Sequence, residues 1–193
     1  MIAIATHADP TVEAEAVTVQ LDALASRYGS SDPARLCGLL FDKDGFQPNL
    51  RNYYDPRNSL LDQVLDRRRG IPLSLAALAL AVAERCGAPL AGVGMPGHFL
   101  LAETNGDDAE TNGDDAETNG DDAGVRRYFD PFDGGRELST AQVGGLHVRL
   151  LGRPLPPGSL RTVDHRVMLV RTLANLRIAY GRHHQLEGLA WVL

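Results

Sequence analysis

The chain has 193 residues, 44% of them hydrophobic, and a formal net charge of −6. This length and composition are typical of one globular domain with room for a core. No apolar run is long enough and free enough of charge to span a bilayer, and the start of the chain lacks an export signal. We therefore expect a cytoplasmic protein with no membrane partner.

The acidity is concentrated in one segment. Residues 103–123 are three copies of ETNGDDA, and without their nine carboxylates the rest of the chain carries a charge of +3. The repeats lack strongly apolar residues and contain Asn-Gly turns, so they predict a disordered acidic insertion rather than a coiled coil. Their spacing lacks the alternating ligands of calcium loops. Because loop length changes closure entropy only slowly, we expect deletion of 103–123 to leave stability nearly unchanged.

The N-terminal part of the chain is predicted to be helical cover. Residues 1–10 are expected to be a loose end, and apolar spacing predicts an amphipathic helix over Thr11–Tyr28. Asp32 and Pro33 supply an N-cap and a first-turn proline for a second helix that runs to Leu40. The predicted units are an N-terminal helical segment (1–31), a core that contains the acidic insertion (32–152), and a linker with a C-terminal helical extension (153–193).

A third predicted helix, Leu60–Arg68, ends in a run of three arginines. Basic side chains stabilise the C-terminal end of a helix, so the run indicates a capped, solvated helix end. The alternative is an anion or nucleic-acid site. No interleaved aromatic pattern or nucleic-acid motif accompanies the run, and we expect no nucleic-acid partner.

A buried helix is predicted at the centre of the chain. The segment Pro72–Cys86 is apolar almost all round, which is typical of a helix with no solvent-facing side. Pro72 suits the first helical position, and Gly87 suits a left-handed cap. Two strands, Leu90–Val93 and His98–Ala102, are predicted to lie against this helix. The C-terminal elements are a strand (Val125–Phe129), a short helix or turn from Ser139, a long helix (Asp164–Tyr180) and the start of another (Gln185–Leu193).

His98 and Asp130 are candidate site residues. They are 32 residues apart, and removal of the 21 repeat residues leaves a separation of 11, which suits two adjacent strands and a short turn. His98 opens the first strand and Asp130 closes the second, so both are expected at one rim of the sheet. A carboxylate beside an imidazole fixes its tautomer and raises its basicity. The pair indicates either two members of a nucleophile–His–Asp triad or a structural hydrogen bond.

Three segments in this order, YYDPRNSLLDQVLDRRRGIPLSL, GVGMPGHFLL and FDPFDGG, resemble the transglutaminase-like superfamily, in particular its SirB N-terminal-domain family. The resemblance covers roughly residues 36–138, and MLVRTLANLRIAY is similar to that family's C-terminal extension. It implies an α+β, papain-like fold, with a buried central helix on a small antiparallel sheet under helical N- and C-terminal cover. It also implies that His98 and Asp130 match the family's His and Asp.

The nucleophile of the family has no counterpart in this chain. The resemblance puts that thiol at the N-terminus of the buried helix, at or next to Pro72, where a helix end lowers a thiol's pKa. Cys86 is at the other end of the helix and Cys37 lies in another helix, so we expect both to be largely buried and neither to be a nucleophile. Ser74 is the nearest hydroxyl, and the expected role of its side chain is to satisfy backbone groups in the first turn, with nucleophile as the alternative.

Three functional hypotheses follow from these residues. The first is a non-catalytic binding or regulatory module for a protein or peptide ligand, in which the His–Asp rim is retained without the thiol. The second is a hydrolase or acyltransferase that uses Ser74 with His98 and Asp130. The third is a protein-interaction adaptor that uses the C-terminal helices. None of them requires a cofactor or a metal, and the sequence contains no motif for either.

Overall fold

The structure is a computed structural model, and it describes residues 1–104 and 125–193. Its helices in chain order are α1 (Ile2–Ala8), α2 (Ala14–Tyr28), α3 (Pro33–Cys37), α4 (Leu61–Arg67), α5 (Pro72–Cys86), α6 (Thr140–Leu151), α7 (His165–Arg182) and α8 (Leu186–Val192). A π-helical turn over Gly38–Lys43 follows α3, and a 3-10 turn over Pro56–Ser59 precedes α4. The strands are β1 (Gln47–Pro48), β2 (Arg69–Gly70), β3 (Leu90–Val93), β4 (Leu100–Thr104), β5 (Val125–Asp130), β6 (Arg136–Leu138) and β7 (Thr162–Val163).

The main sheet is antiparallel. Within the described residues it has five strands in the order β6-β5-β4-β3-β7, and the short strands β1 and β2 form a separate parallel pair. In the central hairpin Leu101 lies opposite Phe129, so the start of β4 faces the end of β5. This register brings the residues just before β4 to the same rim as Asp130, the last residue of β5.

The prediction of a buried central helix is confirmed. Helix α5 begins at Pro72 and ends at Cys86, and its C-cap Gly87 has φ +65°, a conformation that glycine adopts without strain. The helix packs against α2, α4, α7 and strands β3 and β4, so it is covered on several sides. Its most buried apolar side chains include Leu75, Leu78 and Val82. The α+β fold implied by the family resemblance is therefore confirmed.

The start of the chain differs from its prediction as a loose end. Helix α1 occupies residues 2–8, although no side chain caps its N-terminus. Ile4 is buried there in a small cluster with Leu60, Leu176 and Tyr180, which belong to the middle and the end of the chain. A seven-residue helix is marginal in isolation. These distant partners stabilise helix α1, and the sequence pattern of residues 1–10 does not indicate them.

The first two residues of the acidic repeats belong to the sheet. Glu103 and Thr104 are the last residues of β4, whereas the rest of the predicted insertion lies outside the described residues. Glu103 is buried and pairs in register with Arg127 on β5. Its carboxylate accepts hydrogen bonds from Arg127 Nε at 2.6 Å and Nη2 at 3.2 Å. This pair raises the pKa of the Arg127 guanidinium, so Glu103 contributes to the hairpin.

Two deletions separate the sheet residues from the repeats. Removal of 110–123 takes out two whole copies and retains Glu103 and Thr104, so we expect a change in the free energy of unfolding of about 1 kcal/mol or less. Removal of 103–123 also deletes the partner of Arg127, and it should cost roughly 2 kcal/mol more. Urea unfolding of both variants measures the difference. Equal stability of the two variants would contradict a structural role for Glu103.

No helix in the described ranges, 1–104 and 125–193, is long and apolar enough to cross a membrane.

Candidate functional site

The structure brings His98 and Asp130 together at the rim of the sheet. His98 Nε2 lies 2.9 Å from Asp130 Oδ1, and the two side chains are only 6% and 4% exposed. Asp130 Oδ1 also accepts a hydrogen bond from the Phe132 backbone N–H at 2.9 Å. The carboxylate is therefore fixed from two directions, and it holds the imidazole in one orientation.

The contact with Asp130 determines which nitrogen of His98 is available. An ionised carboxylate only accepts hydrogen bonds, so the neutral imidazole carries its proton on Nε2 and donates it to Asp130. The lone pair then lies on Nδ1. No hydrogen bond to Nδ1 is found among the described residues. The site therefore offers one imidazole nitrogen whose lone pair has no hydrogen-bond donor among the described residues.

The turn after Asp130 is held tightly. The Asp130 carbonyl accepts hydrogen bonds from the Asp133 and Gly135 backbone N–H groups at 3.1 and 2.8 Å. Gly135 has φ +72°, and a Cβ at this position would lie 2.6 Å from the ring of Phe41. Only glycine satisfies both the backbone conformation and the close approach. The FDPFDGG segment therefore ends in a rigid turn that aims Asp130 at His98.

Arg171 of α7 supports the other side of the pair. Its Nη2 donates to the His98 carbonyl at 2.8 Å and to the Met95 carbonyl at 3.3 Å, which closes the turn before β4. The guanidinium carbon lies 5.3 Å from the ring centroid of Phe99, within cation–π range. Burial lowers the pKa of Arg171, with the nearby Tyr53 acting in the opposite direction. Helix α7 thus positions His98, a role that the apolar pattern of the helix did not predict.

Ser74 is not joined to this pair. Its hydroxyl donates to the Asn58 carbonyl at 2.5 Å, and the Ile71 carbonyl is a second acceptor at 3.2 Å. The hydroxyl oxygen accepts a hydrogen bond from the Ile71 backbone N–H at 3.0 Å. Among the described residues no hydrogen bond links it to His98. Ser74 is 1% exposed, so its hydroxyl is committed to the first turn of α5. The catalytic role of Ser74 stays a prediction.

The segment that accepts the Ser74 hydroxyl is organised by Asn58, which is fully buried. The amide Nδ2 of Asn58 donates to the carbonyls of Asn52 and Tyr53 at 2.7 and 3.1 Å. Its Oδ1 accepts from Asn49 Nδ2 at 2.9 Å and from Arg67 Nη2 at 3.4 Å. One side chain therefore holds the whole loop that precedes α4. The YYDPRNS segment carried the family resemblance, but its sequence did not indicate this role.

Asp55 is the buried charge of the same loop. Arg57 donates to both of its carboxylate oxygens, and Arg67 Nη2 lies 3.3 Å from Oδ2. Burial alone would raise the pKa of Asp55, but the hydrogen bonds from Arg57, together with the Arg57 and Arg67 charges, hold that pKa below its usual range. Asp55 also caps the 3-10 turn by accepting from the Arg57 backbone N–H. It is thus ionised and structural at neutral pH.

Each arginine in the run of three binds a different part of the structure. Arg67 contacts Asp55 and Asn58, Arg68 Nη1 donates to the Asp44 carbonyl at 2.5 Å, and Arg69 Nη1 donates to Gln47 Oε1 at 2.7 Å. These contacts tie the end of α4 to two loops and to β1. The run therefore fixes neighbouring elements instead of presenting its charges as one patch.

The two cysteines differ in environment. Cys37 is fully buried, and this burial raises the pKa of its thiol to about 12, with the Arg127 charge acting in the opposite direction. Cys86 was also expected to be largely buried, but it is only half-buried. It lines a cleft of about 460 Å³ with Arg85 and Asp22 at the far end of α5 from Pro72. Its Sγ donates to the Ala25 carbonyl at 3.6 Å.

Alkylation of the native protein tests this difference. With a thiol reagent at pH 7, Cys37 is expected to stay unmodified because the thiolate is the reactive form and burial disfavours it. Cys86 should react alone and no faster than an ordinary thiol. The measurement is a thiol count over time on wild type and Cys86→Ala, with an unfolded sample as the control for two reactive thiols. Rapid modification of Cys86→Ala would contradict the assignment.

A family profile and several known proteins match this chain over most of its length. A family profile described as the transglutaminase-like superfamily matches residues 11–174. A UPF0162 protein of Xylella fastidiosa (strain 9a5c) is 36% identical over 156 residues, which cover 78% of this chain and 50% of that protein. A UPF0162 protein of Vibrio cholerae is 32% identical over 153 residues, with coverage of 76% and 49%. F-box only protein 21 of Homo sapiens is 30% identical over 159 residues, with coverage of 73% and 24%.

No solved structure matches the chain. The chain spans about half the length of the UPF0162 proteins and about a quarter of F-box only protein 21. The matched residues include α5, the His98–Asp130 pair and Arg171. On the extent of this match, the chain belongs to the transglutaminase-like superfamily.

Proposed function

We propose that this domain binds a peptide or protein segment at the His98–Asp130 rim without forming a covalent intermediate. The observation that carries the proposal is the state of Ser74, whose hydroxyl is bonded to the Asn58 and Ile71 backbone. A serine nucleophile needs a base within hydrogen-bond reach of its oxygen. Here the base is held by Asp130, and the hydroxyl is engaged by the main chain.

The position that the family resemblance assigns to the thiol supports the same proposal. Pro72, the first residue of α5, stands at or next to that position, and proline has neither a nucleophilic side chain nor a backbone N–H. The residue thus lacks both the attacking group and one donor that could stabilise an oxyanion at the helix N-terminus. Neither cysteine supplies a substitute, since Cys37 is buried and Cys86 lies at the opposite end of the helix.

A peptide suits the chemistry that remains. Nδ1 of neutral His98 is a hydrogen-bond acceptor, and a peptide N–H is a complementary donor. The segment of F-box only protein 21 that is similar to this chain makes up 24% of that protein. A domain that recurs inside a much longer chain is compatible with a module that binds a segment of another protein.

The first test asks whether Ser74 reacts. A serine-directed fluorophosphonate probe is incubated with wild type and with Ser74→Ala, and labelling is measured by intact-protein mass. We expect no label in either protein. Labelling of wild type that is lost in both Ser74→Ala and His98→Ala would overturn the proposal and favour the hydrolase or acyltransferase hypothesis.

The second test asks for binding. A library of random twelve-residue peptides displayed on phage is selected on the immobilised chain, and affinities of the selected peptides are measured by fluorescence anisotropy. We expect at least a tenfold loss of affinity in His98→Ala and no change in His165→Ala, an exposed histidine at the start of α7. Peptides that bind both variants as well as wild type would overturn the assignment of the rim and would favour another surface, such as the C-terminal helices.

A further inference from the structure

A row of aromatic side chains leads from the end of α7 to the candidate site. The Arg182 guanidinium carbon lies 3.9 Å from the ring centroid of Tyr54. The rings of Tyr54 and Tyr53 are 5.2 Å apart, those of Tyr53 and Phe132 are 6.0 Å apart, and those of Phe132 and His98 are 6.0 Å apart. All three ring pairs are edge-to-face. These five residues are here called the aromatic row.

The aromatic row is open to solvent along its middle. Tyr53 and Tyr54 are each 40% exposed, Phe132 is half-buried and Arg182 is exposed. Edge-to-face packing leaves part of each ring face available, and such faces favour apolar and aromatic groups. Grooves lined by aromatic rings bind proline-rich and extended peptides because those chains lose little conformational entropy on binding.

The charge of the row is positive at its outer end. Arg182 contacts the Tyr54 ring, and no carboxylate pairs with its guanidinium in the described part of the chain. Arg171 adds a second cation beside Tyr53. Asp55 and Asp133, the nearest carboxylates in sequence to the row's loops, are already paired with arginines of their own. A ligand that covers the row therefore gains a charge-assisted hydrogen bond if it carries a carboxylate at the Arg182 end.

We infer that the aromatic row is the groove for an extended acidic peptide segment. An Asp or Glu of that segment binds Arg182, a proline or aromatic residue packs on Tyr53 and Phe132, and the main chain reaches His98 Nδ1. At roughly 3.3 Å per extended residue, the row accommodates on the order of five residues. This inference rests on the proposed function, and it adds the direction and the chemistry of the bound segment.

A charge swap tests the inference directly. The displayed peptide library is selected on wild type and on Arg182→Glu. The wild-type pool is expected to be enriched in Asp and Glu, and the Arg182→Glu pool in Lys and Arg. A peptide selected on wild type should lose at least tenfold in affinity for Arg182→Glu. The control is Arg177→Glu, which makes the same charge change at an exposed position of α7 five residues away and should bind like wild type.

Substitutions of Tyr53 test the ring contact. Tyr53→Phe keeps the ring and should retain affinity within twofold, whereas Tyr53→Ala should lose about tenfold. If Arg182→Glu selects the same acidic peptides with unchanged affinity, the inference is overturned. The proposed function survives that result when the same peptides still lose affinity for His98→Ala. It fails separately if the peptides bind His98→Ala as tightly as wild type.

Discussion

Replacing Asn58 by alanine is expected to lower the free energy of unfolding by about 3 kcal/mol. The substitution removes two donated and two accepted hydrogen bonds at a fully buried position. The substitution also removes a hydrogen-bond acceptor of Arg67, whose Nη1 is already buried without a partner in the described residues. For a chain of this length the loss corresponds to a fall of roughly 10 °C in thermal midpoint.

Urea unfolding at pH 7, followed by circular dichroism, measures this effect. The matched control is Asn52→Ala in the same loop, where the residue is exposed and takes part in the network through its backbone alone. That control should lie within about 0.5 kcal/mol of wild type. A loss below 1 kcal/mol in Asn58→Ala would show that the loop is held by other contacts. Because Asn58 holds the Tyr53 carbonyl, the same variant should also weaken peptide binding at the aromatic row.

Much of the core could be predicted from the sequence because its signals are local. Helix α5 has the predicted bounds, Pro72 to Cys86, since the proline, the apolar run and the glycine cap all lie within sixteen residues. Strand β3 also has the predicted bounds. The His98–Asp130 contact could be anticipated once the repeats were subtracted, because the register of a hairpin is set by its hydrophobic pattern and by its loop.

The parts that could not be predicted depend on contacts between distant segments. Helix α1 is stabilised by residues far along the chain, and Arg171 reaches His98 across 73 positions. The strand predicted to start at His98 begins at Leu100, because the Arg171 contacts and the turn at Met95 hold the two preceding residues out of the ladder. Such contacts produce no periodic pattern in the sequence. An arginine that binds a distant carbonyl cannot be distinguished in the sequence from one whose side chain is solvated.

Under the proposed function, the candidate site retains a histidine with its orienting carboxylate and lacks an attacking group. Asp130 and Arg171 hold His98 from both sides, although no neighbouring hydroxyl among the described residues uses that orientation. Buried polar pairs cost free energy unless they are fully satisfied. The His98–Asp130 hydrogen bond and the Phe132 N–H donated to Asp130 meet part of that cost. A ligand N–H at His98 Nδ1 would supply the remaining hydrogen bond, which is why the binding proposal and the geometry support each other.

Replacing Asp55 by asparagine is expected to cost about 3 kcal/mol at pH 7, because it leaves the partly buried Arg67 without its carboxylate while retaining the cap of the 3-10 turn. The loss should depend on pH. The pKa of Asp55 is lower in the folded protein than its unfolded value, about 3.9. Its stabilisation is therefore present above that value and is lost as the pH falls through the folded pKa.

Wild type and Asp55→Asn should accordingly converge as the solution is acidified. Urea unfolding of both proteins at pH 7, 5 and 3.5 is expected to give a constant difference at the first two values and a smaller one at the third. The control is Asp133→Asn, which removes an exposed pair with Arg136 on the surface. That pair should contribute about 0.5 kcal/mol or less, because solvent screens it. A difference for Asp55→Asn that stays constant down to pH 3.5 would mean that the pKa of Asp55 is the same in the folded and the unfolded protein, and one that grows on acidification would reverse the sign of the linkage. Either result would remove Asp55 as the stabilising charge of the loop.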